Sequence, residues 1–281
     1  MAFYDNSAFQ VIGIVYAIIS IFIGAWLWRT GRFGKNVQFL FLFLTSLLGF
    51  LIFSPMLPVQ FQDALVRGAT GTSPVTGAGA ESGPAVPAVF FGVIFMVVLA
   101  FIFGRHFCGY LCPIGALQEL VYHIPLKKIV IRQKQTLTII RLIVFLGIIA
   151  AAFLFSTGLI QLFGIKSFFS LAITATSLVF VTVLVISLFI YRPFCRIICP
   201  TGLLFQVAAA PARLKIYRTD ACIECGKCER VCPTDESKRS DLKSECYLCH
   251  RCIDACPVEG KALRYGIPPD RPLNANEKET E

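Results

Sequence analysis

At 281 residues, with 56% hydrophobic and only 15% charged residues, the chain has the composition of a membrane protein and too few charges for an ordinary soluble domain. Its net charge is +9, yet from Arg213 to the end basic and acidic residues balance, so the excess belongs entirely to the apolar part. That distribution excludes a basic tail built for nucleic acid.

In chain order, five apolar stretches are long enough to span a bilayer: roughly 9–28, 37–54, 87–104, 137–157 and 171–191. The first lacks a basic leader and a small-residue cleavage site, so it reads as a retained anchor. Between the second and third, Pro55 to Pro84 is rich in Gly, Ala, Ser, Thr and Pro. Within it, Gly68 to Ala80 is low in charge and bulk and is expected to form a mobile outer loop. Arg141, one turn into the fourth stretch, reads as a side chain snorkelling to the inner surface. Gly158 to Ser170 is too short to span, so it lies along the outer surface or re-enters. Five spans with the cysteine-rich tail inside put the N-terminus outside, which leaves only Arg67 and Lys166, of 26 Lys and Arg, on the outer side. The expected organisation is an all-α polytopic domain over 1–212, a small α+β domain over 213–267 in the cytoplasm, and a disordered polar tail over 268–281. Insertion in the inner (cytoplasmic) membrane follows.

The tail carries C-x2-C-x2-C-x3-C-P twice, from Cys222 to Pro233 and from Cys246 to Pro257. This is the run with which bacterial two-cluster ferredoxins hold cubane iron–sulfur clusters. Three thiolates wrap three corners of one cube, and the fourth, a helical turn further on, points at the other. Cluster one is therefore expected on Cys222, Cys225, Cys228 and Cys256, and cluster two on Cys246, Cys249, Cys252 and Cys232. Structural zinc, the competing chemistry, usually draws two separated cysteine pairs. These eight residues act as reduced thiolates, in keeping with a cytoplasmic tail. Gly226 is the small residue usual inside such a loop; His250 stands at the matching place in the second run, which predicts a cluster two that is more exposed or differently tuned.

Four further cysteines sit in an internal repeat. Arg105-His-Phe-Cys108-Gly-Tyr-Leu-Cys112-Pro-Ile-Gly-Ala-Leu and Arg192-Pro-Phe-Cys195-Arg-Ile-Ile-Cys199-Pro-Thr-Gly-Leu-Leu share R-x-F-C-x3-C-P-x-G-x-L at an offset of 87 residues. Each half is an inward span, a C-x3-C-P elbow and a helix along the inner surface. Proline after Cys112 and Cys199 suits the first position of a helix, where the dipole favours thiolate. Related by a pseudo-two-fold axis, Cys108, Cys112, Cys195 and Cys199 would meet as one four-thiolate centre. That centre is an iron–sulfur cluster, a thiol relay or a copper(I) site; the plain alternative is disulfides or inert packing.

No histidine lies in the middle of a span, which argues against a bis-histidine haem. His106 adjoins Cys108 and reads as an exposed or packed interfacial residue. Gln118, Glu119, Tyr122 and His123 share one short helix. Glu119 and His123 are candidates for a quinone head group and its protons; a solvated helix face is the alternative.

Together, the two elbows and the two ferredoxin runs resemble the NapH/MauN family of membrane-bound ferredoxin-type proteins. The resemblance implies a quinol dehydrogenase component, an electron-transfer subunit of an oxidoreductase complex. It would pass electrons between the quinone pool and a partner such as a ferredoxin-type or cytochrome protein. The five expected spans depart from that family, usually drawn with four spans and both ends inside. A competing class is a copper-handling or metal-cofactor assembly factor whose clusters reduce metal at the elbow cysteines; a third is a redox sensor.

Overall fold

The computed structural model describes residues 7–52, 57–70, 86–155, 158–258 and 261–268. Long apolar runs give helices α1 (Ser7–Arg29), α2 (Lys35–Ile52), α4 (Val86–Phe103) and α6 (Lys134–Phe155), with Pro87 confined to the first turn of α4. Among the described residues, α6 is the one helix both long and apolar enough to cross a membrane, while α1, α2, α4 and α8 contribute shorter apolar stretches. Their outward faces are strongly apolar: Leu40, Phe43, Phe91, Ile143 and Leu154 are each more than 60% exposed.

Two expectations change. The region after α2 is not all loop: α3 (Leu57–Thr70) buries Val59, Phe61, Ala64 and Val66. Its buried Gln62 Oε1 accepts from the Ile160 backbone N–H at 2.7 Å. Composition hid this helix because its apolar stripe is too narrow to register as a span. The remainder of the expected outer loop, and the polar tail beyond residue 268, lie outside the described residues. The fifth stretch yields only α8 (Ala175–Ser187), started by a capping box between Thr174 and Ser177. Thirteen residues of helix rise about 20 Å, short of a bilayer core. Before it, 159–163 forms a 3-10 turn and α7 covers Ile165–Phe169.

The repeat appears as two crossed halves. After α4 comes a π-helical turn, Phe107–Leu111, then α5 (Pro113–Tyr122); after α8 comes a π-helical turn, Phe194–Ile198, then α9 (Pro200–Ala209). α5 packs on α8, and α4 on α9, so each half's outgoing helix rests on the other half's incoming one. The tail is a two-stranded antiparallel sheet, β1 (Lys215–Arg218) with β2 (Leu263–Gly266), and two short helices, α10 (Lys227–Val231) and α11 (Arg251–Asp254). Backbone N–H groups of Arg213 and Leu214 donate to Phe101 and Ile102 at the end of α4, so the tail leaves the helices already tied to them. A second apolar core, with Trp28, Phe33, Leu42, Tyr110, Ile216, Leu248 and Tyr265, then glues tail to helices.

Candidate functional site

The cysteines gather into three cavities. Cys222, Cys225, Cys228 and Cys256 line one, with Arg218, Ile223 and Pro257. Cys232, Cys246, Cys249 and Cys252 line a second, with Tyr191, Thr234 and Tyr247. Cys108, Cys112, Cys195 and Cys199 line a third, with Arg105, Phe107, Phe194 and Thr201. All twelve are free thiols in this structure. No three His, Cys, Asp or Glu side chains among the described residues stand close enough to hold a single metal ion.

Each tail run is folded by two left-handed residues: Glu224 (φ 51°) and Gly226 (φ 68°) in the first, Leu248 (φ 56°) and His250 (φ 65°) in the second. Such corners wrap the chain tightly between thiols two residues apart. Sulfur also receives donors: Arg218 Nη2 reaches Cys228 Sγ at 3.3 Å and the Glu236 backbone N–H reaches Cys232 Sγ at 3.3 Å. Four soft donors facing one hollow, with N–H groups aimed at sulfur, suit iron–sulfur chemistry.

In the elbows Cys108 and Cys195 lie inside the π turns, and Cys112 and Cys199 cap the helices that follow, with proline at the first helical position. The repeat's glycine has a packing cause. A Cβ on Gly115 would lie 2.6 Å from the Cys108 carbonyl oxygen, and one on Gly202 2.9 Å from that of Cys195. The expected preference for thiolate is not met by the protein alone. Burial pushes Cys112 up to about 12 and Cys199 up to about 11, outweighing the N–H groups that favour the anion. Thr201 hydroxyl lies 3.2 Å from Cys199 Sγ, and Gln118 Nε2 lies 3.7 Å from Cys195 Sγ.

Four arginines of the helical part are fully buried, and sequence reasoning missed what they do. Arg192 Nε donates to Glu119 Oε2 at 2.9 Å, while its guanidinium also donates to the Cys108 and Gly109 carbonyls across the repeat. Arg105 Nη2 donates to the Gly202 carbonyl at 3.1 Å in the opposite sense. Arg141 does not snorkel: it is 1% exposed, donates to the Arg196 carbonyl, and pairs with Glu245 Oε1 of the tail at 2.8 Å. Arg196 meets the other oxygen of Glu245 at 3.4 Å. In return Arg251 of the tail pairs with Glu119 Oε1 at 2.5 Å, its guanidinium lying against Tyr122 and Tyr191. Two buried carboxylates, one from each part, are thus each held by two arginines. Arg105 and Arg192 were visible in the repeat; their burial was not, because a charged residue beside a span reads as a surface anchor.

Glu119 and His123 are neighbours, Nδ1 of His123 lying 3.7 Å from Glu119 Oε1, but they differ in burial. Burial would raise Glu119, but Arg251 and Arg192 overcome it and hold the carboxyl at about 2. Gln118, Glu119 and Tyr122 are all buried, so this helix face is not solvated. His123 is half-buried against Phe39, and burial lowers its pKa. Its Nδ1 lies 2.8 Å from the Glu119 backbone oxygen, which only accepts, so Nδ1 carries the proton and Nε2 is the acceptor. His106 is 1% exposed and held neutral, its pKa lowered by burial to about 4. His250 packs on Trp28 at 5.2 Å and meets Asp254 at 2.8 Å, so the second run is the more covered of the two and the expected extra exposure is not found.

Soft donor sets of four thiols, folded by ferredoxin corners, define an iron–sulfur electron-transfer protein. Comparison with known proteins agrees. A family described as a 4Fe-4S binding domain matches twice, at residues 85–132 and 172–218, each match holding one elbow, and a 4Fe-4S dicluster domain matches residues 208–265. Uncharacterized protein MJ0749 of Methanocaldococcus jannaschii is 32% identical, covering 62% of this chain and 70% of the relative. Putative electron transport protein YccM of Escherichia coli is 28% identical over 59% of this chain and 52% of its own length. Ferredoxin-type protein NapH of Escherichia coli is 26% identical over 62% of this chain and 66% of the relative. The chain thus spans about half of YccM, and no solved structure matches it. It belongs to the NapH/MauN-type ferredoxin-like proteins.

Proposed function

We propose that the chain is a membrane-embedded subunit passing single electrons between the quinone pool and a partner redox protein. Two [4Fe–4S] clusters would be held by the tail, on Cys222, Cys225, Cys228 and Cys256 and on Cys232, Cys246, Cys249 and Cys252. A third iron–sulfur centre would be held by Cys108, Cys112, Cys195 and Cys199. The observation that carries this reading is the convergence of all four elbow thiols on one buried cavity, with the second tail run seated beside it. When bound, such clusters supply reversible one-electron chemistry at sulfur-ligated iron.

The broad exposed apolar faces of the helices support the membrane, since such a surface would be costly in water. The basic residues clustered near the tail support an inner placement of 213–267, with 1–212 as the membrane domain. Of the two residues expected at a quinone head group, His123 fits: burial lowers its pKa, its Nδ1 is engaged by the Glu119 backbone oxygen so that Nε2 is left as the acceptor for a quinol proton, and its side chain is partly exposed. Glu119 is committed to two arginines and stays ionised. The first tail run, with Ile223 and Cys225 exposed, would face the partner, and the assembly would be one of several redox subunits.

The test is metal content and X-ray absorption of the full chain purified without oxygen. About twelve irons with iron–sulfur scattering support three centres. About eight irons together with copper bound to sulfur would instead support the metal-handling reading.

A further inference from the structure

Only one tail run carries an aromatic residue between its first two cysteines. Tyr247 is 2% exposed and lines the cavity of Cys232, Cys246, Cys249 and Cys252. Its ring lies 4.3 Å from the Arg105 guanidinium and 4.9 Å from that of Arg192, the matched arginines of the two elbows. Arg105 in turn lines the elbow cavity. The main chain comes equally close: a Cβ on Gly109, inside the first elbow, would sit 2.6 Å from the Tyr247 carbonyl oxygen. The next residue is fixed too, the Tyr110 hydroxyl donating to the Leu248 carbonyl at 2.5 Å. One residue therefore joins both hollows, covalently beside Cys246 at one side and in van der Waals contact with both elbows at the other.

Resting on the reading of the elbows as an iron–sulfur centre, we propose that Tyr247 is the bridge across which single electrons pass between the elbow site and the second tail site. The reduced group loses one electron and the oxidised group gains one, with no proton moved and no bond made or broken at Tyr247. A densely packed path favours this transfer over a gap. The tyrosine itself is not oxidised. Among the described residues its hydroxyl has no hydrogen-bond partner, so none of them stands ready as a base for the phenol proton, and two cations against the ring oppose any positive charge on it. The same cations lie beside sites that gain negative charge on reduction, which favours the reduced state. Tyr247 is a positioning and conducting residue; it carries no ligand atom.

The experiment uses the full chain in lipid nanodiscs, prepared without oxygen. Freeze-quench EPR follows electron redistribution after mixing with less than one equivalent of dithionite, and spin relaxation reports the interaction between centres. Tyr247→Phe should match the parent. Tyr247→Leu should keep its iron and line shapes but slow redistribution about ten- to a hundredfold. Ile223→Leu, at the matching place in the first run, should change nothing. If Tyr247→Leu loses iron, Tyr247→Met, which fills the space without a ring, becomes the variant read. Redistribution at the parental rate without the ring overturns the bridge while leaving the elbow centre standing. A Phe variant as slow as Leu also overturns it, because the hydroxyl would then be carrying a proton or a radical. A parent with tail clusters only, and no third EPR signal, removes the elbow reading and the bridge with it.

Discussion

The two tail runs share every cysteine, the closing proline and both left-handed corners, yet they face opposite ways. In the first, Ile223, Glu224 and Lys227 are exposed; in the second, Tyr247 and Leu248 at the same places are buried, and Arg251 reaches Glu119. Spacing sets which metal chemistry a run performs, and the residues between the cysteines set where the run is held. A repeat can thus be identical as a ligand set and unlike as a surface.

The sharpest way to break the difference is to unpair the second run's charges. Glu245→Gln should destabilise docking by about 3–5 kcal/mol, because Arg141 and Arg196 are left buried without their carboxylate. Hydrogen exchange of the amides from Cys246 to Cys252 should rise, with those of the first run unchanged. Of similar size, Tyr247→Ala should cost about 3–5 kcal/mol on the same readout, as large buried rings do. Ile223→Ala, its exposed twin, should stay within about 0.5 kcal/mol.

The corners test the backbone by itself. Nothing lies within 4 Å of a Cβ at Gly226, so Gly226→His meets no clash and should cost only the left-handed conformation, about 1–2 kcal/mol. Iron retention by the first run should fall modestly and the second run should not respond. At His250 the same backbone is offset by contact with Trp28 and Phe33.

The smallest effect is on pH. Glu119 is held at about 2, below its ordinary 4.5. Its contribution to docking is therefore complete above pH 4.5 and lost as the pH falls toward 2. Exchange protection of the second run should be flat from neutrality down to pH 4.5 and then decline; Glu119→Gln should be weaker throughout and lose its share of that decline.

Much of this was legible in residues. The apolar runs that became α1, α2, α4 and α6 declare themselves by length and hydropathy, and the elbow helices α5 and α9 by a proline after cysteine. Convergence of Cys108 and Cys112 with Cys195 and Cys199 was inferable from the repeat alone. What could not be read was long-range: α3 hides in a segment of loop-like composition, and the meaning of Arg141, Glu245 and Arg251 depends on partners more than 100 residues away. A buried charge leaves no local signature, because its cost is met by a residue elsewhere in the chain.

The elbows also keep a count. The Cys112 N–H donates to the Phe107 carbonyl at 3.0 Å and the Cys199 N–H to that of Phe194 at 2.9 Å, each reaching back five residues. An ordinary helical turn reaches back four, so each elbow holds one residue more than the helix requires. Deleting any one of the three residues between Cys108 and Cys112 would leave C-x2-C, the interval that serves the tail well. In the elbow that shorter interval would close an ordinary turn, swing the first thiol around the axis and draw it off the cavity. The number of residues in this segment is therefore a constraint in its own right, separate from their identity.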